Sequence, residues 1–323
     1  MSVDFTVPAA DGELPPSWIH GTRRGQPAEP LLQVHWYDPH TVILRQSKSV
    51  TYEAPFLYLL LGNERALLVD TGATSDPGRF PLRETVDSLI REWTERWLSA
   101  EAAARYRLVV AHSHAHGDHV AGDPQLVGRP GTVVVGHSVR EVTDFFGFAD
   151  WPRDPRFLDL GGRVLDVLAI PGHHRAHLAF YDDCTGLLLT GDSVYPGRLY
   201  VRDPTQFAAS LDRLVALTEG RAVRHVLGCH IEMSNRPGRD YPTGTTYQPD
   251  EAPLAMSLEQ LAQVQAAAHR FIDQPGVHRF ESFHLWVGPC RRAMLAQAGR
   301  LVWWRLRTLP ILRRWRSMSA TGE

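Results

Sequence analysis

Residues 112–119 read HSHAHGDH and place four histidines and one aspartate within eight positions. The segment directly follows the apolar run RLVVA, which predicts a strand that ends at the histidines. Imidazole and carboxylate donors suit Zn²⁺, Mn²⁺ or Fe²⁺. In an extended segment, residues two apart point the same way, so His114 and His116 can bind one ion while Asp118 and His119 reach a second. We therefore predict a metal-binding loop.

Three other apolar runs also end in a potential ligand. They are VLDVLAIPGH, LLLTGD and HVLGCH, which end at His173, Asp192 and His230. With the first cluster these residues make five histidines and two aspartates, a set that suits two metal ions sharing one carboxylate. Asp192 is the natural bridge, because one carboxylate can bind both ions. Two ions lower the pKa of a shared water and polarise a carbonyl, so the set predicts hydrolysis.

These motifs resemble those of the metallo-β-lactamase superfamily, over about two thirds of the chain. The matching segments are DTG at 70–72, HSHAHGDH at 112–119, PGHHRAH at 171–177, TGD at 190–192 and GCH at 228–230. The order and the intervals of the motifs agree with those of the family. The resemblance implies an α+β fold, the αββα sandwich, in which two mixed sheets flanked by helices hold the metals at one edge.

The resemblance also implies a role for each matched residue. One ion would be held by His114, His116 and His173 and the other by Asp118, His119 and His230, with Asp192 bridging. Asp70 would orient the metal loop by hydrogen bonds instead of binding metal. We expect two Zn²⁺ per chain, with Fe²⁺ or Mn²⁺ as alternatives, and a catalytic role for Asp118. The best-known zinc β-lactamases carry cysteine where this chain has Asp192, which argues against a β-lactam substrate.

Candidate substrate residues follow the bridging aspartate and the last histidine. Tyr195 stands where acyl-homoserine lactonases of the superfamily also place a tyrosine, and its phenol could hydrogen-bond a substrate oxygen or protonate the leaving group. Packing is the alternative role. Residues 231–256 are dense in proline and glycine and predict a lid loop or a pocket wall. Arg236, Arg239 and Tyr241 are its candidate substrate contacts, with ordinary surface charge as the alternative.

The sequence predicts three parts of the chain. Residues 1–30 form a loosely ordered N-terminal arm, residues 31–289 the catalytic domain, and residues 290–323 an arginine-rich tail. Bulky apolar residues alternate with arginines in the tail, which predicts an amphipathic helix broken near Pro310. Residues 300–316 could contact an anionic membrane surface or a second copy, or pack on the acidic body. Nothing in the tail indicates a nucleic-acid-binding module.

Composition narrows the class of protein. The chain has 323 residues, 43% of them hydrophobic, and lacks an apolar run that would span a membrane. Its start carries no pattern of a secretory signal, so we expect a cytoplasmic protein. Three widely spaced cysteines argue against a disulfide framework and a four-cysteine zinc site.

The sequence thus predicts a dinuclear zinc hydrolase that acts on a small molecule. A hydroxide bridging the two ions would attack the carbonyl of a thioester or lactone. An iron-dependent persulfide dioxygenase with one ion remains an alternative, as does a catalytically silent metal-binding or membrane-peripheral partner protein. The chain after His230 shows no sign of the glutathione-binding helical domain expected of glyoxalase II.

Overall fold

The computed structural model describes residues 2–6, 12–23 and 25–308. The predicted helix break near Pro310 lies outside these residues, as do positions 309–316 of the predicted membrane or dimer contact.

The first sheet holds the six strands of the amino-terminal half in chain order. They are β1 (Leu32–Asp38), β2 (Thr41–Gln46), β3 (Phe56–Leu61), β4 (Arg65–Val69), β5 (Arg107–Ala111) and β6 (Thr132–Val134). The first four strands pair antiparallel, and β4, β5 and β6 pair parallel. The sheet is therefore mixed, as the sequence predicted.

Nine further strands follow in the described part of the chain. They are β7 (Arg156–Asp159), β8 (Val164–Ala169), β9 (Leu178–Asp182), β10 (Leu187–Gly191), β11 (Arg198–Val201), β12 (His225–Gly228), β13 (Ala255–Met256), β14 (Gly276–Arg279) and β15 (His284–Val287). The second sheet has the order β13-β12-β10-β9-β8-β7, and its one parallel pair, β10 with β12, makes it mixed as well. A third, small sheet has the order β11-β15-β14.

One strand expected from the sequence is divided. The segment HRFESFHLWV at 278–287 has a composition that predicts a single strand, but the structure folds it into the antiparallel pair β14 and β15. The Phe280 amide donates to the Phe283 carbonyl at 2.9 Å, and the two rings stack with centroids 4.6 Å apart. The pattern of apolar residues continues across the turn, which is why it concealed the reversal of the chain.

Eight helices lie in the described part of the chain. They are α1 (Leu82–Trp97), α2 (Ala100–Ala104), α3 (Gly117–Val120), α4 (Asp123–Leu126), α5 (Val139–Phe146), α6 (Pro204–Thr218), α7 (Leu258–Arg270) and α8 (Arg291–Thr308). Helix α6 begins where the Asp203 side chain accepts from the Gln206 amide, with a proline at its first position. Helix α7 begins with a capping box of Ser257 and Gln260. No described helix is long and apolar enough to cross a membrane.

The two large sheets pack face to face, and helices cover their outer faces. Alternation along β3 sends Tyr58 and Leu60 into the core between the sheets, and Leu57 and Leu59 toward the core under α1. The outer face of the second sheet is covered by α6, α7 and the third sheet. Each large apolar side chain buried in these layers contributes about 1.5–3 kcal/mol. The predicted αββα sandwich is confirmed.

Described residues near each end of the chain contact this sandwich. Within the amino-terminal thirty residues, Trp18 is buried and packs edge-on against Phe56 with ring centroids 4.9 Å apart. Near the carboxyl end, Gln297 and Arg300 of α8 each donate to Asp240 at 3.0 Å. The boundaries of the arm and the tail stay a prediction.

Candidate metal centre

Each predicted ligand lies just beyond the carboxyl end of a strand. His114 and His116 follow β5, Asp118 and His119 lie on the short α3, and His173, Asp192 and His230 follow β8, β10 and β12. The first four come from the first sheet and the last three from the second. The edge where the two sheets meet therefore gathers all seven side chains.

Two glycines next to candidate ligands allow the chain to pack closely against its neighbours. Gly172, with φ +139°, lies so near α6 that an added Cβ would be 2.4 Å from the Phe207 Cα. Gly191, with φ +52°, leaves room for the imidazole of His177, whose Nε2 would be 2.5 Å from such a Cβ. Side chains at either position would push the neighbouring ligand, His173 or Asp192, out of place.

Three histidines form the first group of candidate ligand atoms. His114 Nε2 lies 2.8 Å from His116 Nδ1, which in turn lies 3.1 Å from His173 Nε2. All three nitrogens fall within 4.8 Å of one another. Two ligands of a tetrahedral zinc ion are about 3.3 Å apart when each metal–nitrogen bond is about 2.0–2.1 Å. The spacing therefore suits a single ion.

Asp118, His119, Asp192 and His230 form the second group, also within 4.8 Å. His230 Nε2 lies 3.2 Å from Asp118 Oδ2 and 3.3 Å from Asp192 Oδ1. The other oxygen of Asp192, Oδ2, lies 3.9 Å from His114 Nε2 and 3.8 Å from His173 Nε2. One oxygen of Asp192 thus faces each group.

Hydrogen bonds fix the orientation of four imidazoles. His119 Nδ1 donates to Asp70, His173 Nδ1 to the Tyr200 carbonyl and His230 Nδ1 to the Glu53 carbonyl, at 2.8, 2.8 and 3.1 Å. His114 Nδ1 lies 3.1 Å from Ser113 Oγ, whose own proton goes to Asp70. With Nδ1 as the donor, each Nε2 presents a lone pair to the site.

These lone pairs and carboxylates fit cations. Among the described residues, the buried His119 Nε2 and Asp192 Oδ1 make no hydrogen bond. Buried acceptors without donors are costly, and a divalent ion would satisfy several of them together. Imidazole and carboxylate donors are those that zinc, iron and manganese accept. The residues present therefore fit two such ions.

Charge differs between the two groups. Burial lowers the pKa of His114 and brings that of His116 to about 4, so both rings are neutral near pH 7. Burial also lowers the pKa of His230, but Asp192 and Asp118 outweigh it and raise the value to about 9. Without metal, a proton would therefore partly balance the carboxylates of the second group.

Asp70 lies beneath the site at the end of β4. It is fully buried, with Oδ1 accepting from the Ser113 amide at 2.7 Å and Oδ2 from Ser113 Oγ at 2.8 Å. The same Oδ2 accepts from His119 at 2.8 Å, and Cys229 Sγ lies 3.2 Å away. Asp70 therefore ties the loop of residues 112–119 to the sheet, in the position from which it could orient His119.

A cavity of about 970 Å³ opens beside the site. Its lining includes five of the candidate ligands, His116, Asp118, His173, Asp192 and His230. Another part of the lining is apolar and comes from β11, β15 and α8, through Val201, Trp286, Met294, Ala298 and Leu301. A small molecule could contact the candidate ligands and the apolar side chains together.

Of the four predicted substrate residues, Tyr195 lines the cavity. Its hydroxyl, however, donates to the Arg198 carbonyl at 2.6 Å. A role in protonating a leaving group stays a prediction, and it would require that bond to break. Arg236 and Arg239 are exposed and do not line the cavity. Tyr241 is buried, and its hydroxyl accepts from the Asp250 amide at 2.8 Å.

The segment 231–256 borders the cavity through other residues. Glu232, Thr243, Gly244 and Gln248 contribute to the lining. Bridges from Met233 to Asp240 and from Ser234 to Glu251 join parts of the segment to each other, and the pairing of β13 with β12 attaches the segment to the second sheet. It therefore forms a wall of the cavity, one of the two roles expected from its composition.

Sequence reasoning missed a buried charged network at this wall. Arg198 forms an ion pair with Glu232, a 2.9 Å ion pair with Asp240 and a 2.7 Å hydrogen bond to the Tyr241 carbonyl. Lys48 is buried and lines the same cavity. Arginine is so frequent in this chain that no single one stood out, and the burial of Lys48 follows only from the fold.

A second missed cluster supports the metal loop from the side. Asp123 Oδ1 lies 2.8 Å from His112 Nε2, and Oδ2 lies 2.8 Å from His137 Nε2. Thr71 also donates to Asp123 at 2.8 Å. No motif of the sequence indicates a partner for His137, which lies near Asp123 because β5 and β6 are parallel neighbours.

The chain is similar to known proteins over its central part. The family model described as "Metallo-beta-lactamase superfamily" matches residues 51–247. A protein of Synechococcus sp. (strain JA-3-3Ab) named hydroxyacylglutathione hydrolase is 33% identical over 171 residues, which cover 52% of this chain and 61% of the relative. A protein of the same name from Pseudomonas putida is 34% identical over 140 residues, covering 40% of this chain and 50% of the relative. The chain thus spans between half and three fifths of the length of these relatives.

A solved structure described as a metallo-beta-lactamase from Pontibacter korlensis is also similar. It has a TM-score of 0.48 and 17% sequence identity, with 74% of this chain and 99% of that chain covered.

Proposed function

Because the chain belongs to the metallo-β-lactamase superfamily, we propose that it is a dinuclear zinc hydrolase that cleaves a thioester or lactone of a small molecule. The observation that carries the proposal is the placement of Asp192, whose two oxygens face different groups of candidate ligands. A carboxylate in that position suits a pair of ions better than a single one. The name of the relatives, hydroxyacylglutathione hydrolase, supports an acyl thioester as the substrate.

With two zinc ions bound, the site would supply a water of lowered pKa and a Lewis acid for the substrate carbonyl. The chain's own residues prepare the geometry for that chemistry. Hydrogen bonds from His119 and His173 hold the imidazoles in one tautomer, so no ring must turn during the reaction. Asp118 lines the cavity, and one of its carboxylate oxygens would take up the proton that the attacking water loses.

The cavity determines how a substrate could approach. Its apolar part, formed by β11, β15 and α8, excludes water from one side of the bound molecule. The acyl or leaving group would lie against Trp286 and Leu301, and the reacting carbonyl at the candidate ligands.

The test combines metal content with hydrolysis of an acyl-glutathione thioester and an acyl-homoserine lactone by the full chain. We expect about two zinc ions per chain and activity on at least one substrate. Asp118→Ala and His173→Ala remove groups expected to provide several kcal/mol of transition-state stabilisation, so activity should fall about 100-fold or more. One iron per chain, or wild-type activity in folded variants, would contradict the proposal.

His174→Ala is the matched control. His174 is adjacent to His173, but its ring belongs to neither group of candidate ligands, and its Nδ1 accepts from the Ala176 amide at 3.2 Å. The variant should keep both ions and most of the activity.

A further inference from the structure

Lys48 is the only lysine in the chain, beside 33 arginines. It lies between β2 and β3, and only 2% of its surface is exposed. It lines the cavity that also contains Asp118 and Asp192. A buried cation in the wall of a candidate active site needs a reason, because burial of a charge costs several kcal/mol when it is not compensated.

The neighbours of Lys48 compensate its charge only in part. Its ammonium donates to the Tyr52 carbonyl at 3.2 Å. Glu251 Oε1 lies 3.7 Å away, beyond hydrogen-bond distance, and both oxygens of Glu251 are occupied by Arg45 at 2.5 and 2.7 Å. An ammonium has three donors, so among the described residues two of them have no hydrogen-bond partner.

Nearby arginines do not offer the same free donors inside the cavity. Arg198 is held by Glu232, Asp240 and the Tyr241 carbonyl. Arg202 contributes to the lining but is exposed to solvent. Of the lysine and arginine side chains that line this cavity in the described part of the chain, Lys48 is therefore the buried one with unused donors.

The charge of Lys48 is retained near neutral pH. Burial lowers its pKa, and Glu251 partly opposes that effect, which leaves the value at about 8. An ammonium is a compact point charge with rotatable donors, and it can bind a carboxylate or phosphate from any direction within the cavity.

We propose that Lys48 binds an anionic group of the substrate, a carboxylate or a phosphate, that lies away from the bond to be cleaved. The enzyme would then prefer acyl compounds with a second, negatively charged end. Only the identification of the anion as part of a substrate rests on the proposed hydrolysis. Binding of an anion at Lys48 does not depend on it.

Calorimetric titration of the zinc-loaded full chain with succinate, inorganic phosphate and neutral acetamide tests the binding step. We expect succinate or phosphate to bind, and Lys48→Met to weaken that binding about 10- to 100-fold, the value of a charge-assisted hydrogen bond. Comparison of the two anions shows which group the site accepts. Zinc would contribute equally in both proteins, so equal affinities in wild type and Lys48→Met would overturn the proposal.

Arg140→Met is the matched control for the loss of one positive charge. The Arg140 side chain on α5 is 90% exposed and does not line the cavity. Its variant should bind both anions like the wild type, and an equal loss there would show a general charge effect and overturn the proposal.

If Lys48→Met does not fold, the wild-type chain itself provides the measurement. Because Lys48 carries the only ε-amine, reductive methylation with ¹³C-formaldehyde gives one lysine signal, and the terminal amine serves as an internal reference. Succinate or phosphate should slow methylation of Lys48 relative to the terminal amine. The proposal would be overturned if the anions left the rate of Lys48 methylation relative to the terminal amine unchanged. It would also be overturned if the reagent did not methylate Lys48 at all.

Kinetics separate this inference from the proposed function. With succinyl and butyryl thioesters of one thiol, Lys48→Met should raise KM about 10-fold or more for the succinyl compound only, with little change in kcat. Hydrolysis with unchanged KM would overturn the role of Lys48 and leave the hydrolase intact. Anion binding at Lys48 without hydrolysis of any thioester or lactone would instead count against the proposed function.

Discussion

Asp70→Asn should weaken metal binding without changing the shape of the site. Asp70 has φ +68°, a left-handed conformation that asparagine also tolerates, so the backbone need not move. The carboxylate accepts from the Ser113 amide, from Ser113 Oγ and from His119. An asparagine amide keeps one acceptor and turns the other into a donor, which must face at least one of these N–H or O–H groups.

The least costly orientation keeps the oxygen toward His119 and turns the NH₂ group toward the Ser113 amide. One fully buried N–H then loses its acceptor, which costs about 1–3 kcal/mol of folding stability. Loss of the negative charge beside His119 makes its Nε2 a poorer ligand. Substitution of such a hydrogen-bond partner typically lowers metal affinity about 10- to 100-fold.

Competition with a chromogenic zinc chelator measures the two affinities, and urea unfolding measures the stability. We expect the affinity of the ion bound by Asp118, His119 and His230 to fall more than that of its neighbour. Asp76→Asn is the control, since its Oδ1 also accepts from a backbone amide, that of Gly78 at 2.9 Å, but on an exposed loop. Two zinc ions bound by Asp70→Asn with wild-type affinities would refute the assigned role of Asp70.

Three further predictions use the same metal and activity assays. His173→Ala and His230→Ala should each leave about one zinc per chain, because the two residues belong to different groups; loss of both ions in either variant would indicate a single cooperative site. Asp192→Asn should lower the binding affinity for both ions about 10-fold or more, since an NH₂ group without a lone pair for metal replaces one carboxylate oxygen and the negative charge is lost. A lower affinity for one ion alone would show that Asp192 does not bridge. Tyr195→Phe should cost about 0.5–1.5 kcal/mol in urea unfolding through the lost bond to the Arg198 carbonyl and change kcat little; a 100-fold fall in kcat would instead favour Tyr195 as the proton donor.

The αββα fold was expected from the resemblance of the motifs to a known superfamily, whereas the positions of the candidate ligands could be predicted from local signals. His173, Asp192 and His230 each follow an apolar run, and strand ends of two packed sheets converge on one edge. The reversal between β14 and β15 could not be read, because Phe280 and Phe283 extend the apolar pattern through the turn. The periodicity of apolar residues indicates which face of a strand a residue occupies, but it does not indicate where the chain reverses direction.

Contacts between residues distant in sequence were the other part that patterns could not supply. One lysine beside 33 arginines has no pattern in the sequence that indicates a role, and only the fold buries Lys48 against a cavity. Arg236 and Arg239 were candidate substrate contacts because they follow the last ligand, yet the loop turns both toward solvent. Charge on a loop has no preferred direction in the sequence, so inward and outward residues look alike.

The division of the candidate ligands between the two sheets has a consequence for the life of the protein in a cell. Each ion would join the halves of the sandwich, since His114 and His116 come from the first sheet and His173 from the second. Native-state stability then rises with free metal, by about 2.7 kcal/mol when the metal concentration is 100 times its dissociation constant. Metal starvation would thus reduce the amount of folded protein as well as its turnover, because unfolded chains are removed by proteolysis. Abundance of this protein would report on the metal supply.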